Sequence, residues 1–175
     1  MASISKKICL VGDFSVGKTS LIRRFVDRQF SDQYLSTVGV KISRKDVELN
    51  LPEKKDVKIQ LLVWDLEGST KFKGIAPTYL QGASGVIIVA DVTRDETIEH
   101  LQDHIDLFLS VNPKGSIICA FNKSDLVDPD KLQIMLQNFN CSGKEKLIAI
   151  YSTSAKTGAH VDEMFTKMAE TIMLH

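Results

Sequence analysis

The segment Gly12-Asp13-Phe14-Ser15-Val16-Gly17-Lys18-Thr19 carries glycines, a lysine and a hydroxyl at the spacing G-x-x-x-x-G-K-[ST]. Glycines permit backbone conformations in which successive N–H groups turn inward around a phosphate. A helix that opens at the same point adds partial positive charge. Asp13 through Thr19, with Ser20, are therefore candidates to cradle a phosphorylated ligand. Lys18 would reach its outer phosphates and the Thr19 hydroxyl would ligate Mg²⁺. The bland alternative is a glycine-rich turn with a surface lysine. The apolar run Ile8-Cys9-Leu10-Val11 before the motif and the amphipathic run after it supply the strand–loop–helix context that favours phosphate.

Three further segments bear on the same chemistry. Asn122-Lys123-Ser124-Asp125 follows an apolar run ending at Phe121. The Asp125 carboxylate can accept two hydrogen bonds side by side, which matches the N1–H and exocyclic amine of guanine and not adenine. Asn122 would hold the loop and touch the base edge; alone, the segment reads as a polar turn capping a helix. In Thr153-Ser154-Ala155-Lys156, small residues let backbone N–H groups approach a base. Lys123 and Lys156 would lay their stems over base or ribose. Asp65-Leu66-Glu67-Gly68 gives D-x-x-G. Asp65 would meet Mg²⁺ through water, and the Gly68 N–H would donate to a γ-phosphate, so this segment would report the nucleotide state. On its own D-x-x-G is usually a turn.

The elements that must carry these residues are legible in the spacing of apolar positions. Ile8–Val11 predicts a buried strand ending at Gly12, and Thr19 to Arg28 a helix with Leu21, Ile22 and Phe25 on one face. Val38 to Leu49 and Val57 to Trp64 predict two strands around a charged hairpin tip, Pro52 to Asp56. Val86–Ala90 and Ile117–Phe121 are continuous apolar runs, as in central parallel strands covered on both faces. Helices are predicted over Asp95 to Val111, Asp130 to Phe139 and Val161 to Met173, and a sixth strand over Leu147 to Tyr151. The alternation predicts an α/β fold with one six-stranded, mostly parallel sheet, one antiparallel edge strand and about five helices on its two faces. Right-handed crossovers then bring all four segments to the carboxyl edge of the sheet, where ligands bind in such folds.

Composition narrows the class. The 175 residues fit one domain spanning 1–175, with 43% hydrophobic and 25% charged residues, as in an ordinary globular protein. Lys plus Arg and Asp plus Glu both number 22, which argues against nucleic acid or a polybasic membrane footprint. No C-x-x-C pair joins Cys9, Cys119 and Cys141, and the first two lie in apolar runs expected to bury reduced thiols. No run is long enough to span a bilayer, position 2 is Ala, and the final residues contain no cysteine to prenylate. The expectation is a cytoplasmic, monomeric protein without a lipidation site in this chain.

Taken together, the ordered motifs resemble a Ras-superfamily small GTPase, and most of all its Rab branch. They are the P-loop, Tyr34-Leu35-Ser36-Thr37-Val38-Gly39, D-x-x-G, Asn122-Lys123-Ser124-Asp125 and Ser154-Ala155-Lys156, supported by Phe72 to Ile75, Tyr79–Ala83 and Asp91-Val92-Thr93. The resemblance implies that Thr37 is the switch threonine on Mg²⁺ and γ-phosphate, that Phe30 packs against guanine and that Tyr34 covers the phosphates. Switch loops over Phe30 to Lys41 and Leu66 to Thr78 would meet effector and regulatory proteins. The catalytic set it implies is Lys18, Thr37, Gly68 and the residue at Ser69.

Three residues depart from the family pattern. Ser69 stands where a glutamine orients the attacking water, Glu67 where the family has alanine, and Phe14 where the P-loop has a small residue. Glu67 is expected to turn outward or pair with a cation, since a carboxylate facing the γ-phosphate is repelled. The reading that follows is a GTP/GDP switch with Mg²⁺ and slow intrinsic hydrolysis. Its alternative is a nucleotide-stabilised interaction module with negligible hydrolysis. An ATP-using enzyme gives Asp125 no role.

Overall fold

The computed structural model describes residues 4–33, 37, 39–68 and 76–175. Six strands form one sheet: β1 Ile4–Gly12, β2 Val40–Leu51, β3 Lys54–Leu66, β4 Gly85–Asp91, β5 Ser116–Asn122 and β6 Leu147–Ser152. Their order is β2-β3-β1-β4-β5-β6. The β2–β3 pair is antiparallel, and the other neighbours are parallel. Among the described residues the α-helices are α1 Lys18–Asp27, α2 Ala76–Leu80, α3 Asp95–Glu99, α4 Leu101–Val111, α5 Pro129–Asn138 and α6 Val161–Leu174.

The two apolar runs do what their composition requires. Every residue of β4 is buried, and β5 is buried from Ile117 onward. Helices therefore cover both faces, each with its own core. On one face Leu21, Ile22 and Phe25 of α1 meet Phe165, Met168 and Ile172 of α6. The rings of Phe25 and Phe165 stack with centroids 4.1 Å apart. On the other face Leu101, Ile105 and Phe108 of α4 pack with Val86, Ile88 and Phe121. Such i, i+4, i+7 stripes are what a helix lying on a sheet must present. Cys9 and Cys119 are buried and, like Cys141, free. Burial pushes both buried thiols up to about 12, which keeps them protonated and inert. No helix among the described residues is long and apolar enough to cross a membrane.

The structure differs from the sequence expectations in two places here. The helix expected over Asp95 to Val111 is divided at His100, whose backbone (φ −78°, ψ −7°) leaves regular helical geometry; counting the pair once gives the five helices expected. The short helix α2 was not anticipated, because its apolar residues are too few to show a period.

Candidate nucleotide site

Strands β1, β3, β4, β5 and β6 all end on one edge, and the loops after β1, β3, β5 and β6, with residues between α1 and β2, line a cavity of about 350 Å³. The segment after β1 supplies its floor. Gly17 caps α1 at φ +101° and no side chain bonds the first helical amides; the first turn also holds no acid. The helix therefore offers unclaimed N–H groups and its positive end to an anion. A Cβ on Gly17 would collide with the Asn122 amide, so only glycine lets β5 close on this turn. Ser15 holds a left-handed backbone at φ +63°, which costs a non-glycine residue roughly 1 kcal/mol.

Lys18 is buried, 6% exposed, and its Nζ donates to the carbonyls of Gly12 (3.0 Å) and Asp13 (2.9 Å). Burial pushes its pKa down to about 8 against the attraction of Asp65 and Asp13, and Arg94 adds to the depression. A buried cation held so far below its usual range gains from an anionic ligand.

Beside it three oxygens converge. Thr19 Oγ1 lies 2.6 Å from Thr37 Oγ1 and donates to Asp65 Oδ2 at 2.5 Å, while Thr37 Oγ1 donates to the same oxygen at 3.0 Å. Asp65 Oδ1 is buried and accepts no hydrogen bond from the described residues, and burial raises the carboxyl's pKa despite the bonds from Thr19 and Thr37 and the nearby charge of Lys18. A dry carboxylate with one unused oxygen and two hydroxyls is the donor chemistry of a hard divalent cation. Thr19, Thr37 and Asp65 thus fit Mg²⁺. Gly68 lies so close to the P-loop that a Cβ on it would sit 2.7 Å from Lys18 Nζ, Asp13 C and Phe14 N.

The other end of the cavity is built by β5 and β6. Asn122 is buried; its Nδ2 donates to the Val16 carbonyl (3.0 Å) and its Oδ1 accepts from Thr153 Oγ1 (3.1 Å). It ties the P-loop to the loop after β6. Ser154 Oγ donates to Asp125 Oδ1 at 2.8 Å and accepts the Thr157 N–H at 3.0 Å, which fixes the direction of the Asp125 carboxylate. Arg24 of α1 donates to the carbonyls of Ala155 (2.7 Å) and Lys156, holding that loop against the helix.

Of the residues proposed from sequence, Phe14, Ser15, Gly17, Lys18, Thr19, Ser20, Phe30, Thr37, Gly68, Asn122, Lys123, Asp125, Ala155 and Lys156 line this cavity. Val16 is in the core and Ser154 lies behind Asp125. The Asp13 side chain points elsewhere, accepting from His100 Nδ1 (2.5 Å) and His104 Nε2 (2.9 Å). Tyr34, Ser69 and the stretch Phe72 to Ile75 lie outside the described residues. Glu67, expected to turn outward or pair with a cation, is half-buried and accepts the Gly39 N–H at 2.8 Å, where the residue before β2 offers an amide.

Sequence reasoning did not single out Asp91 and Arg94 as parts of the site. The Asp91 carboxylate, at the end of β4, pairs with Lys123 (2.8 Å) and Arg94 (3.2 Å). Those cations in turn donate to the carbonyls of Ser15 (3.1 Å) and Phe14 (2.6 Å). Burial alone would raise the Asp91 pKa, and the bonds from Lys123 and Thr93 bring it below the usual range. The Asp91-Val92-Thr93 stretch was the available signal, since a carboxylate ending a fully buried strand needs partners.

Comparison with known proteins agrees with this geometry. The sequence matches the Ras family over residues 7–174. It is 35% identical over 170 residues to Ras-related protein Rab-13 of Rattus norvegicus, covering 96% of this chain and 80% of the relative. It is 34% identical over 168 residues to Ras-related protein Rab-4 of Dictyostelium discoideum, covering 95% and 78%. To the GTP-binding protein ypt5 of Schizosaccharomyces pombe it is 32% identical over 175 residues, covering 99% and 81%. A phosphate-ready helix end, a threonine–aspartate cluster that fits a divalent cation and a match across nearly the whole chain have one common explanation: the chain belongs to the Ras family, as a Rab-like small GTPase.

Proposed function

We propose that this chain is a guanine-nucleotide switch in which one domain, residues 1–175, binds GTP or GDP with Mg²⁺ and hydrolyses GTP slowly. The observation that carries the reading is the convergence of Thr19, Thr37 and Asp65 beside the buried Lys18, at the uncapped start of α1. When bound, Mg²⁺ supplies charge for the outer phosphates; Thr19 and Thr37 would hold it, with Asp65 acting through water. Lys18 neutralises the same phosphates, and the α1 amides orient them. Asp125, aligned by Ser154, selects guanine through its paired acceptors. Phe30 and the stems of Lys123 and Lys156 flank the base.

Switching follows from where Thr37 and Gly68 sit. One belongs to the segment before β2 and the other to the segment after β3, so a γ-phosphate that engages both draws the two segments together. Between those segments Ile42, 49% exposed, stands in register with Trp64, whose buried Nε1 has no acceptor among the described residues. This is the surface we assign to effector proteins. The working place is the cytoplasm, where GTP is available and thiols stay reduced.

A second reading, a nucleotide-stabilised interaction module, is favoured by Phe14. Phe14 is 49% exposed and lines the cavity, where a bulky ring would crowd an attacking water or an incoming arginine. The test is to release and identify the nucleotide from purified protein, then follow loaded GTP for hours. Co-purified GDP and slow conversion support the switch. GTP that persists unchanged supports the module, and the absence of any guanine nucleotide contradicts both.

A further inference from the structure

Positive φ occurs at three residues of the P-loop, Gly12, Ser15 and Gly17, and of these Ser15 alone carries a Cβ. Such a backbone persists only where its surroundings hold it. Here the peptide units on both sides of Ser15 are held. The Phe14 carbonyl accepts from Arg94 Nη2 at 2.6 Å, and the Ser15 carbonyl accepts from Lys123 Nζ at 3.1 Å. Both cations are rooted on one buried carboxylate, Asp91, through Arg94 Nε at 3.2 Å and Lys123 Nζ at 2.8 Å. Lys18 holds the Gly12 and Asp13 carbonyls, and Asn122 holds that of Val16. Among these donors Arg94 is the one that belongs to none of the four motif segments. In a planar trans peptide the carbonyl and the N–H point in opposite directions. Phe14 and Ser15 line the cavity, whereas Arg94 stands outside it. A Phe14 carbonyl turned to Arg94 therefore turns the Ser15 N–H toward the cavity.

From this geometry we infer that Arg94 is a positioning residue for phosphate binding, which fixes the Phe14–Ser15 peptide with its N–H aimed into the cavity. The inference rests on the nucleotide reading of the site. Released from Arg94, the peptide can turn over by paired rotation about Phe14 ψ and Ser15 φ. That turn relieves the left-handed strain at Ser15 and presents a carbonyl, which repels an anion, in place of a donor. Amides of such a loop cradle the α- and β-phosphates, which GDP and GTP share. The effect of Arg94 therefore belongs to both nucleotides and does not run through Mg²⁺.

The experiment loads wild type, Arg94→Met and Arg94→Gln with a fluorescent GDP or a fluorescent non-hydrolysable GTP analogue and chases with excess unlabelled nucleotide. The Ser15 amide proton is followed by NMR in parallel. Methionine keeps a long side chain without a donor. Glutamine can stay on Asp91, but its amide is too short to reach Phe14 as well. Both variants are expected to release either nucleotide roughly fivefold faster than wild type, the equivalent of one hydrogen bond. The difference should persist at about 0.5 M salt and after Mg²⁺ is chelated. GDP loading should move the Ser15 amide proton downfield in wild type and much less in the variants. Release at the wild-type rate by either variant overturns the proposal, as does an unchanged Ser15 shift. A difference that vanishes at high salt overturns it too, because a surface charge is screened and a fixed peptide is not. A wild type that takes up no GDP overturns the nucleotide reading instead, and the role of Arg94 falls with it.

Discussion

Lys18 is the residue on which the site's electrostatics turn. Its folded pKa is pushed down to about 8 by burial, whereas an unfolded lysine titrates near 10.4. Between those values the unfolded chain binds more protons than the folded one, so stability rises with pH. Urea titrations of nucleotide-free protein should show a gain of about 3 kcal/mol from pH 8 to above pH 10.4. Loading with GDP should abolish that slope, because phosphate restores the charged form. A pH-independent midpoint in nucleotide-free protein would contradict the buried-cation account. Thr37 makes a complementary case. Among the described residues its hydroxyl bonds to Thr19 and Asp65, and its contact with nucleotide would need the γ-phosphate, so Thr37→Ala should leave GDP affinity within about threefold while removing the extra Mg²⁺-dependent retention of a GTP analogue. Equilibrium titrations of both nucleotides check this.

At the scale of elements, what the sequence disclosed and what it hid have physical reasons. Fully apolar runs of strand length such as Val86–Ala90 suit buried strands, and the amphipathic stripes of α1 and α6 suit helices packed on a core. The loops after those strands carry the motifs, and fourteen proposed residues do meet around one cavity. The division of the helix at His100 was not legible, since the apolar period of Leu101, Ile105 and Phe108 runs on undisturbed. Nor was the Asp13 side chain's turn toward His100 and His104, because partners 87 and 91 residues away leave no local pattern. The bond between Glu67 and the Gly39 amide was not legible for a related reason, since Gly39 precedes β2 and lies 28 residues away.

In the proposed switch, the P-loop and the segment after β3 together would set the hydrolysis rate. Ser69 is too short to do what a water-positioning amide does, and Phe14 crowds the rim. Single-turnover hydrolysis should run at or below about 4 × 10⁻⁴ s⁻¹, the unaided rate of Ras itself. Ser69→Gln alone should raise it little, and Ser69→Gln with Phe14→Gly should raise it further. A fast wild-type rate would require another group to position the water.

Over the whole molecule, five strand ends, two cores and a neutral net charge serve one binding edge. With no bulk charge to attract a polyanion, recognition must be local, and the proposed switch assigns base selection to Asp125, which Ser154 aligns. The most direct test is competition for the site. Protein loaded with fluorescent GDP and Mg²⁺ is challenged with GTP, ATP and XTP, for wild type and Asp125→Asn. Wild type should release its label to GTP and ignore a hundredfold excess of ATP. Asp125→Asn, which loses the paired acceptor, should shift its preference from GTP to XTP. Displacement of the label from wild type by ATP as readily as by GTP would contradict the account.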